Sequence, residues 1–254
     1  MMNTWQALIL GLLQGVTEFL PVSSSGHLAL AQNWFGIQEP LLSFDVFLHG
    51  MSLIAILVFF FQEIRQLNFK QYFLIGIATI PAVIVGLLFK DTLELALQVP
   101  LLIGVALLIT GIDNLFSHRL LQKSPKEETE ITPQKALIIG LFQSLALIPG
   151  ISRSGTTLLA SLGQKLGKKQ AFTFTFLLAI PAIMGALLLQ GIDIIRDGAT
   201  MPHWSLFVIG GISTLFASLA SLTVFKKLIN KSQFTVFGIY CLALGLIVIF
   251  SQLT

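Results

Sequence analysis

Residues 20–27 read Leu20-Pro21-Val22-Ser23-Ser24-Ser25-Gly26-His27, and residues 148–155 read Ile148-Pro149-Gly150-Ile151-Ser152-Arg153-Ser154-Gly155. Each segment interrupts an apolar stretch, 4–20 in the first case and 135–151 in the second. Proline pushes the residue before it out of the helical region, and serine is a favoured helix N-cap. Each stretch is therefore predicted to form a short helix, a break, and a second short helix starting near the serines. Inside a bilayer such unwound backbone is tolerated only where protein buries it or where it lines a cavity.

That a bilayer is the right solvent follows from the rest of the chain. Its 254 residues are 55% hydrophobic and only 11% charged, with a mean hydropathy of +0.87. A soluble domain carries about 25% charged residues. The composition excludes a secreted, cytosolic or disordered protein and predicts an integral membrane protein. Six further apolar runs lie at 44–61, 71–89, 98–117, 171–189, 204–225 and 234–250. Each is long enough to span a hydrocarbon core that needs roughly 20 residues. The formal charge of +3 gives no support to a nucleic-acid partner. The single cysteine, Cys241, excludes a disulfide framework and a zinc cluster. Its apolar run, Ile239 to Phe250, makes it a buried structural thiol. The N-terminus has no basic n-region, so no cleavable signal is expected.

Positive charge decides whether the broken stretches cross or return. If all eight stretches crossed, lysine and arginine would divide almost evenly between the faces, which the positive-inside rule disfavours. If the two broken stretches are re-entrant hairpins, one face gathers Arg65, Lys70, Arg119, Lys123, Lys126, Lys135, Lys165, Lys168, Lys169, Lys226, Lys227 and Lys231. Only Lys90 and Arg196 fall on the other, with Arg153 inside a hairpin. The expected fold is therefore all-α and membrane-integral: six transmembrane helices plus two re-entrant helical hairpins, with both termini outside.

The two halves also repeat. Ala7-Leu8-Ile9-Leu10-Gly11-Leu12-Leu13-Gln14 matches Ala136-Leu137-Ile138-Ile139-Gly140-Leu141-Phe142-Gln143 at an offset of 129, which also pairs Ser23 with Ser152, Ser25 with Ser154 and Gly26 with Gly155. The expected organisation is a first repeat over 1–118 with its hairpin at 4–33, a cytoplasmic linker over 119–134, and a second repeat over 135–254 with its hairpin at 135–165. The polar Lys126-Glu127-Glu128 belongs to that linker. The first hairpin would enter from outside and the second from inside, giving repeats of inverted topology. Broken segments facing each other near the midplane are the usual pointer to a site. A shorter likeness, Ile80-Pro81-Ala82 with Ile180-Pro181-Ala182, would pair helices of the same direction and reads as shared kink chemistry.

The repeats diverge where chemistry is expected. Glu18 stands opposite Leu147, Ser24 opposite Arg153, and His27 opposite Thr156. Charged groups at membrane depth are costly and mark function. Gln14 and Glu18, four apart, share one helix face. Ser24 and His27, three apart, would share another. Helix N-termini suit an anion, and the planar guanidinium of Arg153 matches phosphate. A hydroxyl beside an imidazole is a candidate nucleophile with its base. Each residue also has a plainer reading. A Ser/Gly run can be close packing, Glu18 a neutral buried carboxyl, Gln14 a link to the opposite hairpin, and His27 a structural donor. His49 either lines the cavity or faces a neighbouring helix. His118, His203, Asp91, Asp193 and Asp197 read as solvated.

At these residues the sequence resembles a known family. Gln14-Gly15-Val16-Thr17-Glu18-Phe19-Leu20-Pro21-Val22-Ser23-Ser24-Ser25-Gly26-His27-Leu28, followed by the segment from Gly140 to Thr157, is similar to the undecaprenyl-diphosphate phosphatases, also called bacitracin resistance proteins. The likeness covers the whole chain: its length, both motifs, their separation and the apolar pattern. Gln14 and Glu18 match the first part of the family signature. Ser23, Ser24, Gly26 and His27 match the second, and Pro149, Gly150, Ser152, Arg153, Ser154 and Thr157 the third. Many members carry Glu where this chain has Gln14, and Thr is common where it has Ser25.

The resemblance implies a membrane phosphatase that converts undecaprenyl diphosphate to undecaprenyl phosphate, the recycled carrier for cell-wall synthesis, and so lowers sensitivity to bacitracin. It implies a bacterial inner-membrane location, a site open to the outer, periplasmic face and a divalent cation, Mg²⁺ or Ca²⁺. The partners are then the polyprenyl diphosphate lipid and membrane lipids, with a homodimer left open. In the expected mechanism Arg153 clamps the diphosphate, aided by Ser23, Ser25, Gly26, Ser152, Ser154 and Thr157. Glu18, with Gln14, holds the cation. Ser24 is the nucleophile and His27 its base, with His27 as the direct nucleophile kept as the rival. The alternative from another class is a lipid-phosphate flippase or transporter, since inverted repeats with broken helices are transporter architecture and fold alone does not decide function.

Overall fold

The computed structural model describes residues 2–37, 41–125, 129–197 and 202–252, and the side chain of Asp197 is not among what it describes. The expectations for Lys126-Glu127-Glu128 and for a solvated Asp197 therefore lie outside the described residues. The described chain is all-helical. Two short helices come first, α1 (Thr4–Phe19) and α2 (Ser24–Trp34). Then follow α3 (Leu42–Phe59), α4 (Phe61–Arg65), α5 (Phe69–Leu88), α6 (Lys90–Leu97) and α7 (Pro100–Gln122). A second short pair is α8 (Pro133–Leu145) and α9 (Arg153–Gly163). The chain closes with α10 (Lys168–Asp197), α11 (Trp204–Asn230) and α12 (Thr235–Ser251). Five of these, α3, α5, α7, α10 and α11, are long and apolar enough to cross a membrane, and α12 is a shorter apolar helix.

The helix ends follow local chemistry. Asn3 and Gln6 form a capping box that starts α1. The breaks fall where the prolines and serines predict them. Ser23 caps α2 by accepting from Gly26 N, and Ser152 caps α9 by accepting from Gly155 N. Helices α5 and α10 carry Pro81 and Pro181 inside them, each at the cost of one main-chain hydrogen bond. The short α4 and α6 were not anticipated, and α7 runs on to Gln122, past residue 118.

Close packing is made by small residues, as is usual where lipid removes the hydrophobic drive between helices. Along the α1–α11 contact, Thr214 Oγ1 donates to Gly11 O at 3.0 Å and Ser221 Oγ to Gly15 O at 2.8 Å. In the α5–α8 contact, a Cβ added to Gly140 would lie 2.3 Å from Ala78 O. Two apolar clusters hold the bundle. A phenylalanine cluster joins Phe19, Phe60, Phe172, Phe176, Phe225 and Phe234. A smaller one joins Ala7, Leu10, Leu28, Phe44, Leu48 and Leu206, from the starts of α1, α3 and α11 together with α2.

Polar contacts tie the helix ends together. Thr129 Oγ1 donates to Lys165 O at 3.0 Å and Ser124 Oγ to Leu166 O at 3.2 Å. Lys70 pairs with Glu130 at 2.6 Å, and the ammonium holds this exposed carboxyl below its ordinary range. At the other end of α10, Asp193 pairs with Lys90 at 2.5 Å and raises the lysine's pKa. The expectation of a solvated Asp193 is thereby corrected: α6 brings a lysine to the end of α10, and the carboxylate is largely covered. His118 is likewise only half-solvated, with Nδ1 buried. Asp91 and His203 are exposed as expected, and Cys241 is fully buried.

Candidate functional site

The two breaks meet against α7, whose side chains supply the partners that unwound backbone lacks. Asn114 Nδ2 donates to Pro21 O at 2.6 Å. Thr110 Oγ1 donates to Gly150 O at 2.9 Å and accepts from Ser152 N at 3.0 Å. Ser154 Oγ, from the second break, donates to Leu20 O of the first at 3.2 Å. Gly26 packs closely on Gly150, where a Cβ on Gly26 would stand 3.1 Å from Gly150 Cα. Gly150 has a φ of +95°, and a side chain there would also strike Ile103 O at 2.8 Å. Ser23 takes a φ of +73°, a conformation that costs a non-glycine residue about 1–3 kcal/mol. This turn sets the phase of α2 and so decides where Ser24 and His27 point.

Glu18 is the hub. Its carboxylate is buried at the end of α1, and Oε1 forms an ion pair with Arg153 Nη2 at the start of α9. Oε2 accepts from Ser24 Oγ at 2.6 Å and from Gln14 Nε2 at 3.1 Å. His49 Nε2 lies 3.7 Å from Oε2. Arg153 also donates through Nη1 to Ala179 O at 3.4 Å. A buried pair of this kind is weak evidence for stability, since desolvation offsets much of the attraction. At membrane depth it is better read as functional. Gln14 further donates to Ser52 Oγ at 3.4 Å, while its Oε1 is buried without a hydrogen-bond partner.

His27 faces elsewhere. Its Nδ1 lies 2.7 Å from Ser23 O, and a carbonyl only accepts, so Nδ1 carries the proton. The Nε2 lone pair then faces Tyr240 Oη at 2.8 Å, and the two rings stack 5.7 Å apart. Ser24 and His27 share a short helix, yet the Ser24 hydroxyl is directed to Glu18 rather than to the imidazole.

The remaining predicted residues divide. Ser23 and Ser25 face each other at 3.4 Å on the first break. Ser152 and Ser154 do so at 3.2 Å on the second. Thr157 Oγ1 donates to Arg153 O at 2.6 Å, inside its own helix. Ser152 and Thr157 thus shape the backbone that carries Arg153.

Three participants were not anticipated. Tyr240 and Thr110 lie in apolar runs and come from α12 and α7. Asn114, one turn after Thr110, completes an i, i+4 polar pair on one face of α7, and that spacing was a readable signal. His49, left open by its sequence context, stands beside Glu18. It is held there by an Nδ1 hydrogen bond to Asp45 O at 2.8 Å, and the Asp45 carboxylate in turn accepts from Gln32 Nε2 at 2.9 Å.

Chemically, the arrangement offers a hydroxyl with a carboxylate acceptor, a planar cationic fork, and two helix N-termini at the breaks. Groups of these types suit a bound anion. Comparison with known proteins agrees in kind. Residues 7–247 match the family described as Bacitracin resistance protein BacA. The chain is 38% identical to the undecaprenyl-diphosphatase of Flavobacterium psychrophilum, over 98% of this chain and 95% of that protein. It is 37% identical to undecaprenyl-diphosphatase 3 of Bacillus cereus, over 100% and 99%. It is 38% identical to the undecaprenyl-diphosphatase of Halothermothrix orenii, over 98% of each. With nearly the full length matched, the chain belongs to the bacitracin resistance protein family.

Proposed function

We propose that this chain is an undecaprenyl-diphosphatase of the bacterial cytoplasmic membrane. It hydrolyses undecaprenyl diphosphate to undecaprenyl phosphate and inorganic phosphate, recycling the lipid carrier and conferring resistance to bacitracin. The observation that carries this reading is the convergence of Glu18, Ser24 and Arg153 from two broken helices inside an apolar bundle. The polyprenyl tail stays in lipid while the headgroup enters between the breaks.

In the proposed mechanism Arg153 grips the diphosphate, with hydroxyls and amides of residues 23–26 and 152–155 around it. Ser24 Oγ attacks the terminal phosphorus, and its proton passes to Glu18, the acceptor it already faces. The bond from phosphorus to the bridging oxygen breaks, and undecaprenyl phosphate leaves as a stable anion. Water then attacks the phosphoserine. Its proton reaches His27 Nε2 through Tyr240, and Glu18 returns the first proton to Ser24.

A hard divalent cation fits the donor set. Gln14 Oε1 is a buried, unpartnered oxygen on the amide whose Nε2 donates to Glu18 Oε2, and a rotation of that amide would turn the oxygen toward the carboxylate. Among the described residues no cluster of three or more His, Cys, Asp or Glu is present. Few protein ligands, with phosphate and water completing the shell, is the pattern of Mg²⁺ at phosphate sites. Glu18 and Gln14 would hold the ion, which would neutralise phosphate charge.

For topology, the proposal is six spans, α12 being the sixth, with α1–α2 and α8–α9 re-entrant. The repeats span 1–118 and 135–254, joined by the linker 119–134. Several contacts support it. Both ends of α8–α9 lie at the linker, since Thr129 and Ser124 bond Lys165 and Leu166. The first pair likewise folds its ends into one apolar cluster. Helix α1 packs on α11 as α8 packs on α5, and α3 meets α10 as α7 meets α12, which is the pairing a pseudo-two-fold axis requires. The lysine and arginine asymmetry supports a linker on the inside, and the proposal opens the site to the outer face.

The test is phosphate release by purified protein in detergent, where no gradient can drive transport. Release from undecaprenyl diphosphate, lost on chelation of divalent cations, is expected. Binding without release would favour a flippase.

A further inference from the structure

Thr175 lies on α10, 2% exposed, and its Oγ1 has no hydrogen-bond partner among the described residues. A threonine within a helix ordinarily returns its hydroxyl to the carbonyl four residues back. Thr17 does so to Leu13 O at 2.6 Å, Thr79 to Ile75 O at 2.7 Å, Thr157 to Arg153 O at 2.6 Å, and Thr223 to Leu219 O at 2.9 Å. Thr175 forgoes that bond. It lines one narrow space together with Glu18, Arg153, Ser154, Phe19, Phe176 and Ala179. An unpaired buried hydroxyl is costly, so a fold that keeps one beside the Glu18–Arg153 ion pair has a use for it. Phe19 and Phe176 make the surroundings apolar, where a hydrogen bond to an anion is strengthened.

We infer that Thr175 is a further substrate-binding residue: its hydroxyl donates to a phosphate oxygen of the headgroup gripped by Arg153. The inference rests on the phosphatase reading and adds a third helix, α10, to a site otherwise built from the two breaks. Thr175 can donate one bond to an oxygen that the guanidinium leaves free, fixing the rotation of the phosphate about the Arg153 contact.

The experiment compares wild type with Thr175→Val, which keeps the shape and removes the hydroxyl, and with Thr175→Ser, which keeps the hydroxyl. Three quantities are read in detergent: kcat/KM on undecaprenyl diphosphate, the Kd for inorganic pyrophosphate, and the melting temperature. The expectation is about a tenfold loss of kcat/KM in Thr175→Val, the size of one hydrogen bond to a charged group. A matching rise in Kd should accompany it, with recovery in Thr175→Ser. The melting temperature should stay level or rise, since an unsatisfied hydroxyl has been removed. Wild-type values in Thr175→Val would overturn the inference. So would a fall in activity that tracks a lower melting temperature and is not recovered by serine. If wild type releases no phosphate, the phosphatase reading fails, and the pyrophosphate Kd of the three proteins still judges Thr175.

Discussion

Ser24 Oγ donates to Glu18 Oε2 at 2.6 Å, and the carboxylate that receives it also holds Arg153. One residue of α1 thus orients both the candidate nucleophile from the first break and the proposed phosphate clamp from the second. Glu18→Gln keeps the shape but removes the proton acceptor and leaves the guanidinium unpaired. Loss of general-base assistance alone corresponds to roughly a hundredfold or more in kcat. Steady-state phosphate release checks this; a variant within tenfold of wild type would show that Glu18 is not the acceptor for Ser24.

Arg153→Lys keeps the charge and loses the fork. Lysine is a point charge and cannot grip two phosphate oxygens in one plane. Removing such a contact from the transition state costs on the order of 3 kcal/mol, roughly a hundredfold in rate. The measurement is kcat/KM beside the wild type. Near-normal turnover would make Arg153 a general electrostatic residue.

Helix α8, which leads into the second break, is placed by backbone contact. A Cβ on Gly140 would stand 2.3 Å from Ala78 O and 2.8 Å from Ala78 Cα, and backbone cannot rotate aside. Gly140→Leu should lower stability by about 1–3 kcal/mol or more, read as a lower melting temperature in detergent. Gly76→Ala, on the same α5 with nothing within 4 Å, is the control and should be neutral or stabilising.

Topology is tested by single cysteines at the exposed positions Gln122 and His203 after replacing the buried Cys241. On intact cells an impermeant thiol reagent should label position 203 and spare 122. The reverse pattern would invert the proposed orientation.

Much of this was legible in the sequence because the constraints are local. Pro21, Pro149 and the flanking serines fix both helix breaks through backbone sterics and capping, which need no tertiary context. Glu18, Ser24 and Arg153 stood out because polar groups in an apolar chain require partners. Which partner each takes was not legible. The adjacency of Ser24 and His27 suggested a hydroxyl–imidazole pair. The positive φ of Ser23 rotates α2 so that Ser24 meets Glu18 and His27 meets Tyr240, 213 residues away. Asn114 and Thr110 satisfy carbonyls of the breaks across the bundle, and Lys90 reaches Asp193 from α6. These are long-range choices set by how helices pack, and no local pattern encodes them.

The central claim is that Ser24, not His27, attacks phosphorus. His27 has Nδ1 bound to Ser23 O and Nε2 capped by Tyr240, whereas the Ser24 hydroxyl is half-exposed and already faces a proton acceptor. The two schemes leave different covalent species, an acid-stable phosphoserine or an acid-labile phosphohistidine. The decisive measurement is to quench wild type, Ser24→Ala and His27→Ala during turnover of substrate labelled in the terminal phosphate, and to test the trapped adduct in acid. An acid-stable adduct at Ser24, absent from Ser24→Ala and accumulating in His27→Ala, is the predicted result. An acid-labile adduct that persists in Ser24→Ala would contradict it and make His27 the nucleophile.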